Sequence, residues 1–479
     1  MFFGREELIE RLEGLFKKKT SSLVTCRGRR RIGKSTLIEK FAERARARFI
    51  KIEGIKPRAK LGNRSELENF AIKLAAQTHC DSSVPDNWYN AFLRLDGQIR
   101  DNERTVVLLD EISWMAYYDP MFAGMLKSAW DDNFKKHPKL VLVLCGSVSS
   151  WIKDNILEDG SFYGRRSLDI VVPELPIWEC VRFWGKAAAR TDPREILDVL
   201  SVTGGVPRYL EEIDSSVSAA ENIRRLCFLP KGPLREDFDE MFADVITRQP
   251  QFTASVLRCL KAGPKSVSEI AREIGMERGG RISDSLVQLA ECGLVVNDGG
   301  VNPQSGRNVR ESRYRLNDNY SRFYLRYIEP VKDVIDRDAF TFGSLDSLDG
   351  WESIMGLQFE NLVLANLGSL VGMLGLGNAQ IVSAAPYRRA ASRDGTRKGV
   401  QIDLLIQTRR SMCVVEVKRR REIGREVIDE VAEKVSRLPR RSGISVRTAL
   451  VYEGQLAPIV EADGYFDAIV PFARLLGVN

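Results

Sequence analysis

Apolar residues follow two rhythms along this chain of 479 residues, and the switches between them mark out its elements. In 1–245, compact apolar runs such as 23–25, 105–109 and 140–145 are separated by stretches in which apolar positions recur every three to four residues, as in 37–42. The runs have the length and β-branched content of buried strands, and the stretches between them have helical spacing. Strands alternating with helices predict an α/β fold on a parallel sheet.

The rhythm changes after residue 250. Three short helices are expected over 252–262, 266–276 and 280–293, broken by Gly263-Pro264 and by Glu277-Arg278-Gly279. Two short strands, 294–296 and 313–316, flank a polar hairpin containing Ser305-Gly306-Arg307. Three helices and a hairpin make a winged helix, assigned to 246–330. Residues 331–350, rich in charge and glycine, are expected to form a linker, and 351–479 a further α/β unit.

Composition narrows the class without fixing it. Hydrophobic residues make up 44% and charged residues 29%, and 72 Lys and Arg against 65 Asp and Glu give a net charge of +7, an excess that permits a nucleic-acid partner without demanding one. Eight cysteines without a CxxC pair suit a reducing compartment and argue against zinc, and two histidines exclude a histidine-rich metal site. The start MFFGREELIERL is acidic too early for a signal peptide, and no run of 18 apolar residues occurs, so a cytoplasmic protein without a membrane partner is expected.

The sharpest chemical signal is GRRRIGKST, which follows the first apolar run. Gly28, Gly33, Lys34 and Ser35 have P-loop spacing: the backbone from Gly28 through Arg31, Ile32 and Gly33 to Thr36 would cradle phosphates, Lys34 would reach the terminal phosphates, and Ser35 would hold Mg²⁺. A chance match in a basic turn is disfavoured because a strand precedes the loop and helical spacing follows it. The strand 105–109 then ends in Asp110-Glu111, where Asp110 would hold the magnesium through water and Glu111 would polarise the attacking water. Ser147, after the next buried strand, is either a turn residue or a sensor of the terminal phosphate. The cofactors implied are ATP and Mg²⁺.

A second cluster lies in the last third. Glu360 sits on an apolar-periodic helix, Asp403 interrupts the apolar strand 400–406, and Cys413-Val414-Val415-Glu416-Val417-Lys418 places Glu416 and Lys418 on one strand face. Three carboxylates and a lysine from a helix and two strands predict a site for one or two Mg²⁺ ions that activate water against a phosphodiester. The plainer alternative is a buried Asp403 to Lys418 ion pair beside two surface glutamates. Arg281 at the start of the third helix and Arg307 and Arg310 in the hairpin are candidate groove and phosphate contacts; a protein-packing module is the competing assignment. Arg388, Arg389, Arg393, Arg397 and Lys398 would either track a nucleic-acid backbone or form a solvated loop.

Taken together, these motifs resemble the archaeal-type P-loop ATPases of the AAA+/STAND group that carry a winged helix and a C-terminal restriction-endonuclease-like domain of the PD-(D/E)xK class. Phe3-Gly4-Arg5-Glu6 with Leu8 is similar to that group's N-terminal box and implies adenine recognition by Gly4 and Arg5. The resemblance makes 28–35 Walker A, Asp110 and Glu111 Walker B, and Ser147 sensor 1. It offers Arg165 or Arg166 of Tyr163-Gly164-Arg165-Arg166 as an arginine finger, acting within the chain or across a neighbouring copy in a homo-oligomer, and Pro207 of Gly204-Gly205-Val206-Pro207 as part of a motif closing over the base. Tyr314-Arg315-Leu316-Asn317-Asp318 with Phe323 resembles the group's stretch after the wing. Gln401-Ile402-Asp403 lacks the proline often written in the nuclease class, and the segment after Lys418, 426–437, is strongly charged where a glutamine motif is common. The implied fold is a P-loop NTPase sheet with a helical lid (1–245), a winged helix, and an endonuclease-like α/β domain. The implied function is an ATP-hydrolysing switch coupled to binding, and possible Mg²⁺-dependent cleavage, of DNA more than RNA. An ATP-regulated scaffold with an inactive C-terminal docking module is the alternative.

Overall fold

The computed structural model describes residues 2–147, 149–245, 249–277, 279–308, 313–392, 394, 396 and 398–477. The chain divides into two compact units, Met1–Glu174 and Leu175–Asn479.

In the first unit, strands β1 (Ser22–Arg27), β2 (Arg48–Glu53), β3 (Thr105–Asp110), β4 (Leu140–Gly146) and β5 (Arg166–Val171) form one parallel sheet in the order β2-β3-β4-β1-β5. Strands β3 and β4 are buried at every position, which is why they read as unbroken apolar runs rather than alternating ones. Helices Asn63–Thr78, Trp88–Asp96 and Phe122–Asp132 bury Phe70, Trp88, Phe92 and Phe122 in a core shared with Val107, Leu109, Leu142 and Leu144. Their rings meet edge to face, Trp88 and Phe122 at 4.8 Å between centroids. The register sets Arg27 beside Gly146, so the C-terminal ends of β1, β3 and β4 open side by side on one crevice.

The second unit is built on a five-stranded sheet, β12-β11-β10-β9-β8, made from β8 (Ile381–Arg389), β9 (Val400–Thr408), β10 (Ser411–Ile423), β11 (Ser445–Leu456) and β12 (Ala468–Pro471). Strands β8, β9 and β10 are antiparallel, whereas β10, β11 and β12 are parallel, the helix Glu426–Arg437 crossing between β10 and β11. One sheet face packs Leu404, Ile406, Val415 and Val451 against Phe359, Leu362 and Val363 of the helix Trp351–Ala365, and also against Leu175, Ile177, Ile196, Leu197 and Leu200. The segment from Leu175 onward, expected as the lid of an ATPase domain spanning 1–245, thus shares its core with the C-terminal sheet. The opposite face packs Val400, Leu405 and Val414 against Val427, Ile428 and Val431.

Between these parts lie helices Pro250–Cys259, Val267–Glu273 and Gly280–Glu291, followed by the antiparallel strands β6 (Val295–Asn297) and β7 (Tyr314–Leu316). Ser266 and Glu269 form a capping box that starts the second helix. The expected linker is pinned rather than free: Phe340 and Phe342 stack on Phe228 at 5.0 and 5.2 Å, and Ile335 is fully buried. Among the described residues no single helix is long and apolar enough to cross a membrane. The helices Trp351–Ala365 and Leu367–Met373, apolar enough as a pair, are bent by 79° at their junction and supply core side chains.

Candidate functional site

The loop after β1 turns on glycines. Gly28 (φ +150°) and Gly33 (φ +83°) adopt backbone conformations that side chains resist, and a Cβ on Gly28 would lie 2.7 Å from the Val172 carbonyl oxygen. The helix Lys34–Arg44 begins where the loop ends, its N-terminus turned to the crevice, with Ile32 buried, Arg31 at φ +65° and Thr36 exposed. The Lys34 ammonium, itself buried, donates to the carbonyl oxygens of Gly28 and Arg29, both at 3.1 Å. Arg5, itself left-handed beside Gly4, donates to the Ile32 carbonyl at 2.9 Å, so the N-terminal box rests on the loop.

Strand β3 delivers the carboxylates. Ser35 Oγ donates to Asp110 Oδ2 at 2.6 Å, placing a hydroxyl beside a buried carboxylate. Glu111 sits at φ +49°, a strained position for this residue. Ser147, at the end of β4, donates its hydroxyl to Glu111 Oε1 and its backbone N–H to Oε2 at 3.2 Å, while its Oγ lies 3.5 Å from Lys34 Nζ. Because β4 lies between β1 and β3, the three candidate residues converge on one point from three neighbouring strand ends.

Sequence reasoning missed Lys51. It lies on β2 with its ammonium 3.4 Å from Asp110 Oδ2 and 3.1 Å from Glu39; burial works against its charge, but Asp110 and Glu39 outweigh that and raise its pKa. No motif marks it, since a lysine on a half-exposed strand carries no local signal.

The two proposed arginine fingers are engaged elsewhere. Arg165 forms a two-pronged pair with Asp131, Nε to Oδ1 and Nη2 to Oδ2 both at 2.8 Å, and Arg166 opens β5 with Nη2 on the Leu157 carbonyl at 3.3 Å. Among the described residues, neither touches Lys34, Ser35 or Glu111. Pro207 opens the short helix Pro207–Leu210 of the second unit.

In the second unit the antiparallel ladder of β9 and β10 runs to the pair Leu404 and Val415. There β9 bulges against β8, between Ala385 and Tyr387, and the Asp403 carboxylate takes the Val417 N–H at 2.9 Å. Glu416, almost fully buried, is gripped by two lysines, Lys434 at 2.5 Å on one oxygen and Lys418 at 2.9 Å on the other, and Lys418 also reaches Glu430 at 2.6 Å. Glu430 and Lys434 stand one turn apart on the helix Glu426–Arg437. That helix was seen from sequence only as charged, and its inward pair is invisible until the crossover is folded.

Burial pushes the Glu360 carboxyl well above the usual range, and the charge of Asp403 adds to the shift; Asp403 is raised by its own burial and by Glu416. The expected pocket of three carboxylates is not formed: among the described residues no three acidic, histidine or cysteine groups lie close enough together to hold a metal ion. The physical reason is that the two lysines neutralise Glu416. Glu360, meanwhile, lies in the field of Arg315 and Arg388 as well as Asp403.

Arg281 lies 3.9 Å over the Phe252 ring and bonds Gln249 at 2.5 Å; Arg307 is exposed; Arg310 lies outside the described residues, as do Arg393 and Arg397.

A parallel sheet whose strand ends present a glycine-bounded loop, a buried lysine, and a serine bonded to an aspartate defines a P-loop ATPase. Residues 2–213 match the model of a family described as an ATPase domain predominantly from Archaea, and this part of the chain is a nucleotide-binding ATPase domain of that kind. An uncharacterised protein of Methanocaldococcus jannaschii is 22% identical over 374 residues, 76% of each chain. The fold is shared with a Walker-type ATPase of Pyrococcus abyssi, 16% identical, covering 68% of this chain and 96% of that one at a TM-score of 0.50. The ORC2 protein of Aeropyrum pernix, solved in ADPNP and ADP complexes, is 14% identical over 70% of this chain and 94% of its own at a TM-score of 0.41.

Proposed function

We propose that ATP binding and hydrolysis switch the second unit between states that engage and release nucleic acid. The observation that carries this is Arg419, the residue after Lys418. Its guanidinium is 1% exposed and pairs with Asp198 at 2.8 Å and Glu352 at 2.7 Å, with Glu453 at 3.7 Å. Asp198 belongs to the helix Pro193–Thr203, inside the stretch matched as ATPase, so movement of that helix would pull directly on the strand carrying Glu416 and Lys418.

In the nucleotide site, Lys34 would exchange loop carbonyls for phosphate oxygens, and Ser147 would hand Glu111 to a water. Ser35 and Asp110, adjacent hard oxygen donors, fit Mg²⁺, which would neutralise the phosphate charge there. Arg165 or Arg166 would complete the site only after leaving its present partners, or would do so for a neighbouring copy. Gly4 and Arg5 support adenine recognition through their seat on the loop, and Pro207 would close over the base.

For the second unit we propose a winged helix over 246–330 and an endonuclease-like domain over 351–479, acting on DNA rather than RNA, with Arg281, Arg307 and Arg310 as nucleic-acid contacts. The order of helix, three antiparallel strands, crossover helix and parallel strand supports it, as does the closeness of Asp403, Glu416 and Lys418. Two carboxylates are what one Mg²⁺ needs; it would supply an activated water. The lysine grip on Glu416 favours a second reading, an inactive docking module. Plasmid nicking with Mg²⁺ or Mn²⁺ decides between them: cleavage lost in Asp403→Ala supports the nuclease, and equal behaviour of wild type and variant leaves the docking module.

A further inference from the structure

Between the β6–β7 ribbon and the outer strands of the C-terminal sheet lies a cleft of about 660 Å³. Its ribbon wall carries Asp298, Val301 and Arg313, and its sheet wall carries Ala385, Arg388 and Arg389. The walls are tied together, Gln407 Nε2 donating to the Val301 carbonyl at 2.6 Å. The volume is that of a small-molecule site.

Arg388 is the odd group in it. A guanidinium has five N–H donors, and withdrawing them from water without partners is costly. Arg388 is half-buried, and among the described residues it makes no hydrogen bond and no ion pair within 4 Å. Burial lowers its pKa, and Arg313 lowers it further, while Glu360, Asp403 and Asp298 act only through their fields. The next residue, Arg389, gives one nitrogen to the Arg437 carbonyl at 2.8 Å but keeps a buried Nε without a partner. Arg313 is already satisfied by Glu269 at 2.7 Å and the Pro264 carbonyl at 2.9 Å. Two adjacent guanidinium groups with spare donors therefore face a cleft whose other walls, Ala385, Pro386, Leu405 and Val301, are apolar.

We propose that this cleft binds a nucleoside monophosphate, either free or as the phosphorylated end of a strand, with the phosphate on Arg388 and Arg389 and the ring against the apolar wall. A dianionic phosphate matches two forked donors, and a bare anion would leave the apolar part of the cleft empty. Nothing in this depends on cleavage at Asp403: a protein that never nicks DNA would still fill the cleft.

The test is calorimetric titration of the full chain with its P-loop saturated by a non-hydrolysable ATP analogue. The probes are thymidine 5′-monophosphate, thymidine, and hexathymidylate with and without a 5′-phosphate. Phosphate-dependent binding is expected, weakened roughly ten- to hundredfold by Arg388→Ala. Ala385→Trp, which fills the apolar part without touching charge, is expected to weaken it similarly; it stands as the decisive variant if Arg388→Ala loses its circular-dichroism melt. Binding by the phosphorylated oligonucleotide but not the mononucleotide assigns the cleft to strand ends. No phosphate-dependent binding by either probe, or affinity unchanged in the folded variants, overturns the proposal.

Discussion

Ser147 holds Glu111 by both carboxylate oxygens, one through its hydroxyl and one through its backbone N–H at 3.2 Å, from a strand end that also sets its Oγ 3.5 Å from Lys34. The serine therefore links the group that meets phosphate to the group assigned to water. Ser147→Ala should lower kcat for ATP about tenfold with KM little changed, because binding contacts remain while Glu111 loses its guide. Glu111→Gln should bind ATP and lower kcat by roughly 10²-fold or more, and Lys34→Ala should weaken nucleotide binding itself. Steady-state turnover with a separate nucleotide-binding assay checks all three. Normal turnover in Glu111→Gln would remove it as the base.

A pH dependence follows from Glu66, which lies on the helix Asn63–Thr78 with its carboxylate accepting the Ile55 N–H at 3.0 Å. Burial raises its pKa from 4.5 to about 7, against the opposing pull of that N–H and of Lys73. A carboxyl whose pKa is raised by folding stabilises the fold fully below its unfolded value, and that contribution is lost as pH rises through the folded value. Stability should thus fall between pH 4.5 and 7 by something of order 2 kcal/mol, allowing for partial solvent screening. Glu66→Gln, which keeps an acceptor for Ile55, should remove that slope. Thermal melts of wild type and variant across the window settle the matter; parallel curves would contradict it.

Arg419 makes a different kind of prediction. Its buried charge is held by Asp198, Glu352 and Glu453, of which Asp198 is raised in pKa by burial despite the arginine. Arg419→Met strands buried carboxylates and should cost about 3–5 kcal/mol. The double variant Arg419→Met with Asp198→Asn should recover part of that loss, because the deeper of the stranded charges is gone. Denaturant unfolding of the full chain gives both numbers, and additive effects would show that the two residues do not interact.

What the sequence disclosed depends on how local the chemistry is. Gly28, Gly33, Lys34 and Ser35 act within eight residues, so their spacing alone announces the loop, and Asp110-Glu111 follows from a strand's apolar run ending in two acids. Three helices and a hairpin after residue 250 were equally legible, since caps and glycine breaks are written in neighbouring residues. Asp131, which claims Arg165, lies 34 positions away, and Asp198 lies 221 positions from Arg419, separations no spacing rule reaches. Asp403 shows a subtler limit: strict alternation along β9 fails at the bulge, so its orientation depends on register with β8 and β10. The division at Leu175 was hidden for a similar reason, because an amphipathic helix announces that it will bury a face but not which sheet will cover it.

Glu416 offers the most direct probe of whether the C-terminal carboxylates can take a metal. Lys434 and Lys418 now neutralise its buried carboxylate from two sides. Lys434→Met removes one cation and leaves excess negative charge beside Asp403, so the second unit should lose about 1–3 kcal/mol. If Glu416 and Asp403 form a latent divalent site, millimolar Mg²⁺ or Mn²⁺ replaces the missing charge and restores the melting temperature, whereas NaCl at equal ionic strength only screens and restores little. Asp403→Asn in the same background should abolish the rescue by removing the second ligand. Melting curves of the single and double variants read this without any cleavage assay. Equal rescue by NaCl and MgCl₂ would mean that the lysines serve a structural ion network and that the docking-module reading holds.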